Sequence, residues 1–142
     1  LSRKFEISPK NVHAYVLGEH GDSEFVAWSS AMIGSVKIDT MLNQKEKDAI
    51  SEEVRNSAYE IIKKKGNTSY GIGMCLVRIT NAILNDENAI ITVSALDKDA
   101  YISSPCIINK QGIKRRLKID LTEEEQELYD KSKDIIKNSL KR

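Results

Sequence analysis

Cysteine is scarce in this sequence. Cys75 and Cys106 are its only two, too few and too far apart for a disulfide framework or a zinc ribbon. Cys75 sits in the apolar run Met74-Cys75-Leu76-Val77 and Cys106 in Pro105-Cys106-Ile107-Ile108. Both therefore read as small buried hydrophobes in a reducing compartment. No apolar run approaches the roughly 18 residues that a membrane span needs, and no basic-then-apolar leader opens the chain. A membrane partner is not expected, and the expectation is a soluble cytoplasmic protein. Charge of one sign is lacking too: 22 Lys+Arg oppose 21 Asp+Glu, for a formal net charge of +1. Such a balance gives no global reason to expect a nucleic-acid partner. There is no internal repeat and no low-complexity linker. The 142 residues suffice for one domain and fall short of two ordinary ones.

What is present is a clear order of elements. Leu1 to Phe5 resembles the last turn of a helix entering from upstream, with no initiator Met, so the chain is expected to be a piece of something larger. Ser8-Pro9 breaks that turn. Val12 to Leu17 is β-rich and predicts a strand, ending in the polar loop Gly18-Glu19-His20-Gly21-Asp22-Ser23. Glu24 to Ala31 predicts a short helix capped by Ser23, with Trp28 as a packing anchor. From Lys45 to Lys65, Ile50, Val54, Ala58, Ile61 and Ile62 recur at helical spacing, and Gly66 stands where a helix-ending residue is wanted. A second helix, Tyr70 to Asn85, capped by Thr68 or Ser69, is apolar around most of its circumference and is expected to be central. Its Arg78 would need a carboxylate partner if buried. Strands follow at Ala89 to Leu96, Tyr101-Ile102 and Cys106 to Asn109. A hairpin turn at Lys110-Gln111-Gly112 then leads into alternation through Ile119. The basic side of that last strand, Lys114, Arg116 and Lys118, reads as the wet side of a sheet, with no aromatics interleaved. Thr122 and Glu125 form a capping box for a final helix with a stripe of Leu121, Leu128, Ile135 and Ile136. The fold class is α+β: an antiparallel sheet with several packed helices.

Of the two histidines, His13 lies within the first strand and His20 in the loop at its end. A loop histidine among glycines and carboxylates suits proton transfer, since a neighbouring carboxylate can hold the tautomer and favour imidazolium. It equally suits a plain surface loop, and spacing does not decide between them. Gly71-Ile72-Gly73 is not a dinucleotide fingerprint: position 76 is Leu and a helix, not a strand, precedes it. Those glycines instead allow a backbone or a flat ligand to approach the helix start. No Ser-His-Asp arrangement and no metal-ligand spacing is visible, so no metal is expected.

The run Val12-His13-Ala14-Tyr15-Val16-Leu17-Gly18-Glu19-His20-Gly21-Asp22-Ser23-Glu24 resembles the active-site segment of bacterial-type L-lactate dehydrogenases. The likeness continues through Lys65 to Ile72, Ile90 to Ala95 and Glu123 to Gln126. It implies that residues 1–142 are the C-terminal, substrate-binding domain of an NAD-dependent enzyme of the lactate/malate dehydrogenase family, and that the N-terminal nicotinamide-binding domain is absent. It further implies His20 as proton donor to pyruvate and acceptor from L-lactate, Thr68 in the substrate pocket, and Ile72 against the nicotinamide ring of the NAD cofactor. His13 matches the histidine that binds the allosteric effector fructose 1,6-bisphosphate, a role set against that of a structural histidine in a strand. The residues that orient the histidine and clamp the substrate carboxylate would lie in the missing half, so the isolated fragment is expected to be inactive. Asp22 is a poor substitute for the orienting acid. Similar enzymes are homotetramers. They carry a longer hairpin where Leu96-Asp97-Lys98-Asp99-Ala100 stands, so either the loop is truncated or residues are missing there. Malate and other 2-hydroxyacid dehydrogenases share the His-Gly-Asp segment, but Glu19, Ser23-Glu24 and Thr68 are more similar to lactate dehydrogenases. A non-catalytic oligomerisation or binding module is the contrasting reading.

Overall fold

Glu6 takes a left-handed φ of 53°. It closes a single opening turn in which the Phe5 N–H bonds to the Leu1 carbonyl and the Ile7 N–H to that of Ser2, both at 3.0 Å. The structure is a computed structural model and describes residues 1–140.

The expected strand from Val12 to Leu17 divides in two. β1 (Val12–His13) pairs antiparallel with β4 (Met32–Ile33), which continues to β5 (Val36–Lys37), while β2 (Val16–Leu17) pairs with β3 (Phe25–Val26). The helix expected over Glu24 to Ala31 does not form; β3 and a 3-10 turn at Trp28–Ser30 occupy that stretch. Eight residues hold too few helical bonds to offset nucleation. Phe25 and Val26 instead pair with Leu17 and Val16, and Phe25 and Ala27 become buried.

α1 (Gln44–Lys65) starts at a capping box, Asn43 with Glu46, and ends at Gly66 with a φ of 79°. Ile50 and Val54 are half-buried, whereas Ile61 and Ile62 are exposed. α2 (Ser69–Leu84) is not the central helix that its composition predicts. It rests on the sheet near its C-terminal end through Ala82 and Ile83, and Tyr70, Met74, Leu76 and Leu84 stand exposed. Periodicity reports where a helix is apolar; it cannot report what covers it. Cys75 is likewise exposed, against expectation, while Cys106 is buried and its thiol is pushed up by that burial. Arg78 is exposed too and pairs with Glu87 at 2.6 Å.

The main sheet is the meander β6 (Ala89–Asp97), β7 (Ala100–Asn109), β8 (Gly112–Arg116). β7 runs through the stretch expected to be broken. It accommodates Pro105 because β8 stops at Arg116, so on that side Pro105 needs only to accept the Leu117 N–H, at 2.8 Å. Ile102, Cys106 and Ile108 share one face of β7. Ile102 joins Leu17, Phe25 and Tyr129; Cys106 and Ile108 join Ala82 and Ala95. The β6–β7 connection is a two-residue turn, Lys98-Asp99, with Lys98 at a φ of 61°.

α3 (Glu123–Ser139) begins at the expected Thr122–Glu125 capping box, and of the predicted stripe Leu121 and Ile136 pack against the core while the buried face extends to polar residues. Glu125, Tyr129, Ser132 and Lys133 turn inward while Leu128 and Ile135 are exposed. Polar bonds decide this orientation. Lys133 pairs with Asp97 at 3.2 Å and Lys137 with Asp99 at 2.8 Å, tying the helix to the β6–β7 turn. Arg116 adds a 2.6 Å bond to Asp97, so it belongs to an ion cluster rather than to a wet sheet face. These cations hold the Asp97 carboxyl down at about 2. No helix is long and apolar enough to cross a membrane, and no cluster of metal-ligating side chains occurs, among the described residues.

Candidate active site

Gly18 ends β2 with a φ of 100°, a conformation that a side chain resists. Its carbonyl accepts the Ser103 N–H at 3.3 Å and the Ser103 hydroxyl at 2.5 Å, which fastens the loop to β7. On its other side the loop meets Ser132 of α3. The Glu19 N–H donates to Ser132 Oγ at 2.6 Å, and the Ser23 and Ser132 hydroxyls share a hydrogen bond at 2.8 Å. Between these two tethered ends the loop projects His20, which is exposed.

His20 lines a cleft of about 370 Å³ together with the C-terminal end of α1 and the first turn of α2. α1 contributes Ser57, Ile61, Lys64 and Lys65; beyond it come Asn67, Thr68, Tyr70 and Ile72. The cleft thus joins three of the positions singled out in the sequence: His20, Thr68 and Ile72. Thr68 is the N-cap of α2 but makes no capping bond, contrary to one expectation. Asn67 serves instead, its Oδ1 accepting the Ser69 N–H at 3.1 Å, so the Thr68 hydroxyl has no helix-capping duty. Ile72 is half exposed, and a Cβ placed on Gly71 would meet nothing within 4 Å, which leaves an open, flat approach to the helix start. His13 stands apart: it is exposed on β1 opposite Met32 and does not line this cleft.

The loop's carboxylates are differently placed. Asp22 accepts a 3.1 Å hydrogen bond from the Tyr59 hydroxyl, which pushes that phenol up. It is therefore engaged with α1. Glu24 has its carboxyl raised by burial, against the opposing pull of His20 and Arg55. Lys64 and Lys65 place positive charge on the cleft wall. Sequence reasoning missed Ser103 and Ser132 altogether. Each reaches the loop from a distant element, and neither sits in a motif.

The whole span, residues 1–142, matches the family described as lactate/malate dehydrogenase, alpha/beta C-terminal domain. The chain belongs to this family. Among curated lactate/malate dehydrogenase relatives, an L-lactate dehydrogenase of Priestia megaterium is 48% identical across 100% of this chain and 48% of its own length. L-lactate dehydrogenase 1 of Bacillus cereus is 43% identical across 99% of the chain and 48% of its own length. The chain therefore spans about half the length of the curated relatives it matches. Those alignments run over 152 and 154 positions, so the relatives carry additional residues within the matched region. A lactate dehydrogenase from a Medee basin deep-sea metagenome superposes with a TM-score of 0.95 at 41% identity, over 99% of this chain and 49% of that one. A malate dehydrogenase of Aeropyrum pernix superposes with a TM-score of 0.89 at 29% identity, over 96% and 48%. The fold is that of the family's C-terminal domain, and the relatives named here are oxidoreductases.

Proposed function

We propose that this chain is the substrate-binding domain of a cytoplasmic, NAD-dependent L-lactate dehydrogenase that interconverts pyruvate and L-lactate. The observation that carries the reading is the convergence of His20, Thr68 and Ile72 on one cleft. His20, as imidazolium, donates its ring proton to the ketone oxygen of pyruvate; in reverse, the neutral ring takes the proton from the lactate hydroxyl. A proton passed by a positioned side chain contributes about 10²–10⁴-fold. The same charge stabilises negative charge growing on the ketone oxygen, more strongly as the cleft is closed from water. Thr68 presents a hydroxyl to the substrate. Lys64 and Lys65 bias the cleft toward anions.

The residues present fit only one end of an NAD molecule. Exposed Ile72, beside the open backbone of Gly71, offers an apolar platform for the flat nicotinamide ring, and among the described residues there is no Gly-rich strand-to-helix turn to hold the pyrophosphate. When bound, the nicotinamide supplies the hydride. The rest of the cofactor site, the group that orients His20 and the clamp on the substrate carboxylate are assigned to an N-terminal half of the same protein. The exposed apolar side chains of α2 support such a covering partner and a homotetrameric assembly, because contiguous apolar surface of this kind marks an interface.

Malate dehydrogenase activity is the second reading, favoured by the Aeropyrum pernix neighbour. Turnover by the full-length protein decides between them. NADH oxidation is expected with pyruvate in preference to oxaloacetate, and the chain alone is expected to show none. A preference for oxaloacetate would move the assignment to malate, and substantial turnover by the chain alone would overturn the divided site. His13 is proposed to contact fructose 1,6-bisphosphate, supported by its exposure on β1. Activation of the full-length protein by that ester should disappear in His13→Ala; activation that survives would leave His13 a structural residue.

A further inference from the structure

The loop that carries His20 rests on a fully buried hydroxyl, that of Ser132. Ser132 lies on the inward face of α3 at 0% exposure, and its oxygen is the meeting point of two loop groups. The Glu19 N–H, immediately before His20 in the chain, donates to it at 2.6 Å, and the Ser23 hydroxyl bonds it at 2.8 Å. Gly18 packs so close that a Cβ there would stand 2.8 Å from the same oxygen. A hydroxyl can accept two hydrogen bonds and donate one, so a single atom can serve both sides of the histidine bend.

We propose that Ser132 is a positioning residue for the proposed proton transfer: it fixes the bend on either side of His20, and so sets where the imidazole stands in the cleft. The inference rests on the role of His20 proposed above. Ser132 is itself held at a set depth by its helix neighbours. Lys133 is pinned to Asp97, and the Tyr129 hydroxyl donates to Asp97 Oδ2 at 3.3 Å, so the helix cannot slide without breaking the ion cluster. The C-terminal helix thereby acts on the chemistry without touching substrate. Misplacing a reacting group by about 1 Å can cost on the order of 10²-fold, which is the scale of effect that the arrangement implies.

The experiment uses the full-length protein with pyruvate and NADH, or with 4-deuterated NADH, and compares Ser132→Ala, Ser23→Ala and His20→Asn with the parent. Ser132→Ala is expected to lower kcat per folded molecule roughly 10–100-fold and to raise the deuterium isotope effect on kcat, with the KM for NADH unchanged. Ser23→Ala, which removes one of the two loop partners at a half-buried position, should change both quantities in the same direction and by less. If Ser132→Ala does not fold, Ser23→Ala carries the test alone. Ser132 is a structural residue only if its variant, or Ser23→Ala where that alone folds, loses thermal stability but keeps the parent kcat and isotope effect. If His20→Asn retains the parent rate, the proposed role of His20 fails first. If His20→Asn is inactive while the serine variants match the parent, the positioning inference alone is overturned.

Discussion

Gly18 and Ser132 constrain each other across the molecule. The glycine adopts a φ that other residues resist, and its missing side chain leaves room for the serine oxygen. Gly18→Ala adds left-handed strain to a clash with a buried atom, and is expected to destabilise the fold by about 2–4 kcal/mol. Urea unfolding measures it; a loss under about 0.5 kcal/mol, the range of ordinary surface changes, would mean that the loop relaxes freely. At this scale the sequence is partly transparent. His20, Thr68 and Ile72 are singled out only by the resemblance of their two runs to a known family, since local spacing leaves His20 open, and the structure brings the three to one cleft. Ser132 is not, because its importance lies in a contact with a loop near the other end of the chain, and a serine between two lysines carries no mark of burial.

The helices and strands show where pattern reading succeeds and where it stops. α1 and the capping box of α3 are legible because caps and periodicity are local properties. The helix expected at Glu24 to Ala31 fails because cross-strand pairing with Val16 and Leu17 outweighs short-range propensity. The apolar stripe of α3 is only half legible: Leu121 and Ile136 pack inward, but ionic contacts of Lys133 and Lys137 to Asp97 and Asp99 leave Leu128 and Ile135 exposed. That cluster makes a prediction of its own. The folded Asp97 carboxyl titrates at about 2, below its ordinary 3.8. Its stabilisation is therefore complete above pH 3.8 and is lost as pH falls through about 2. Asp97→Asn should cost about 2–3 kcal/mol near neutral pH, since it leaves Lys133 and Arg116 without their counter-charge. The difference between parent and variant should shrink as pH drops from 4 toward 2. A gap independent of pH over that range would show that the ion pairs contribute little.

At the scale of the molecule, the apolar circumference of α2 is the feature that the sequence announced and the fold leaves uncovered. A helix that is apolar nearly all round is ordinarily a buried helix, and among the described residues much of its apolar surface is exposed. The cleft walls supply His20, Thr68, Ile72, Lys64 and Lys65. Proton transfer at His20 is the claim on which the rest depends. The most direct test is the single-turnover rate of NADH oxidation with pyruvate in the full-length protein carrying His20→Asn, measured by stopped flow with both ligands saturating. A fall of at least about 10²-fold is expected, with nucleotide affinity unchanged; a rate within a few-fold of the parent would remove His20 from the proton transfer.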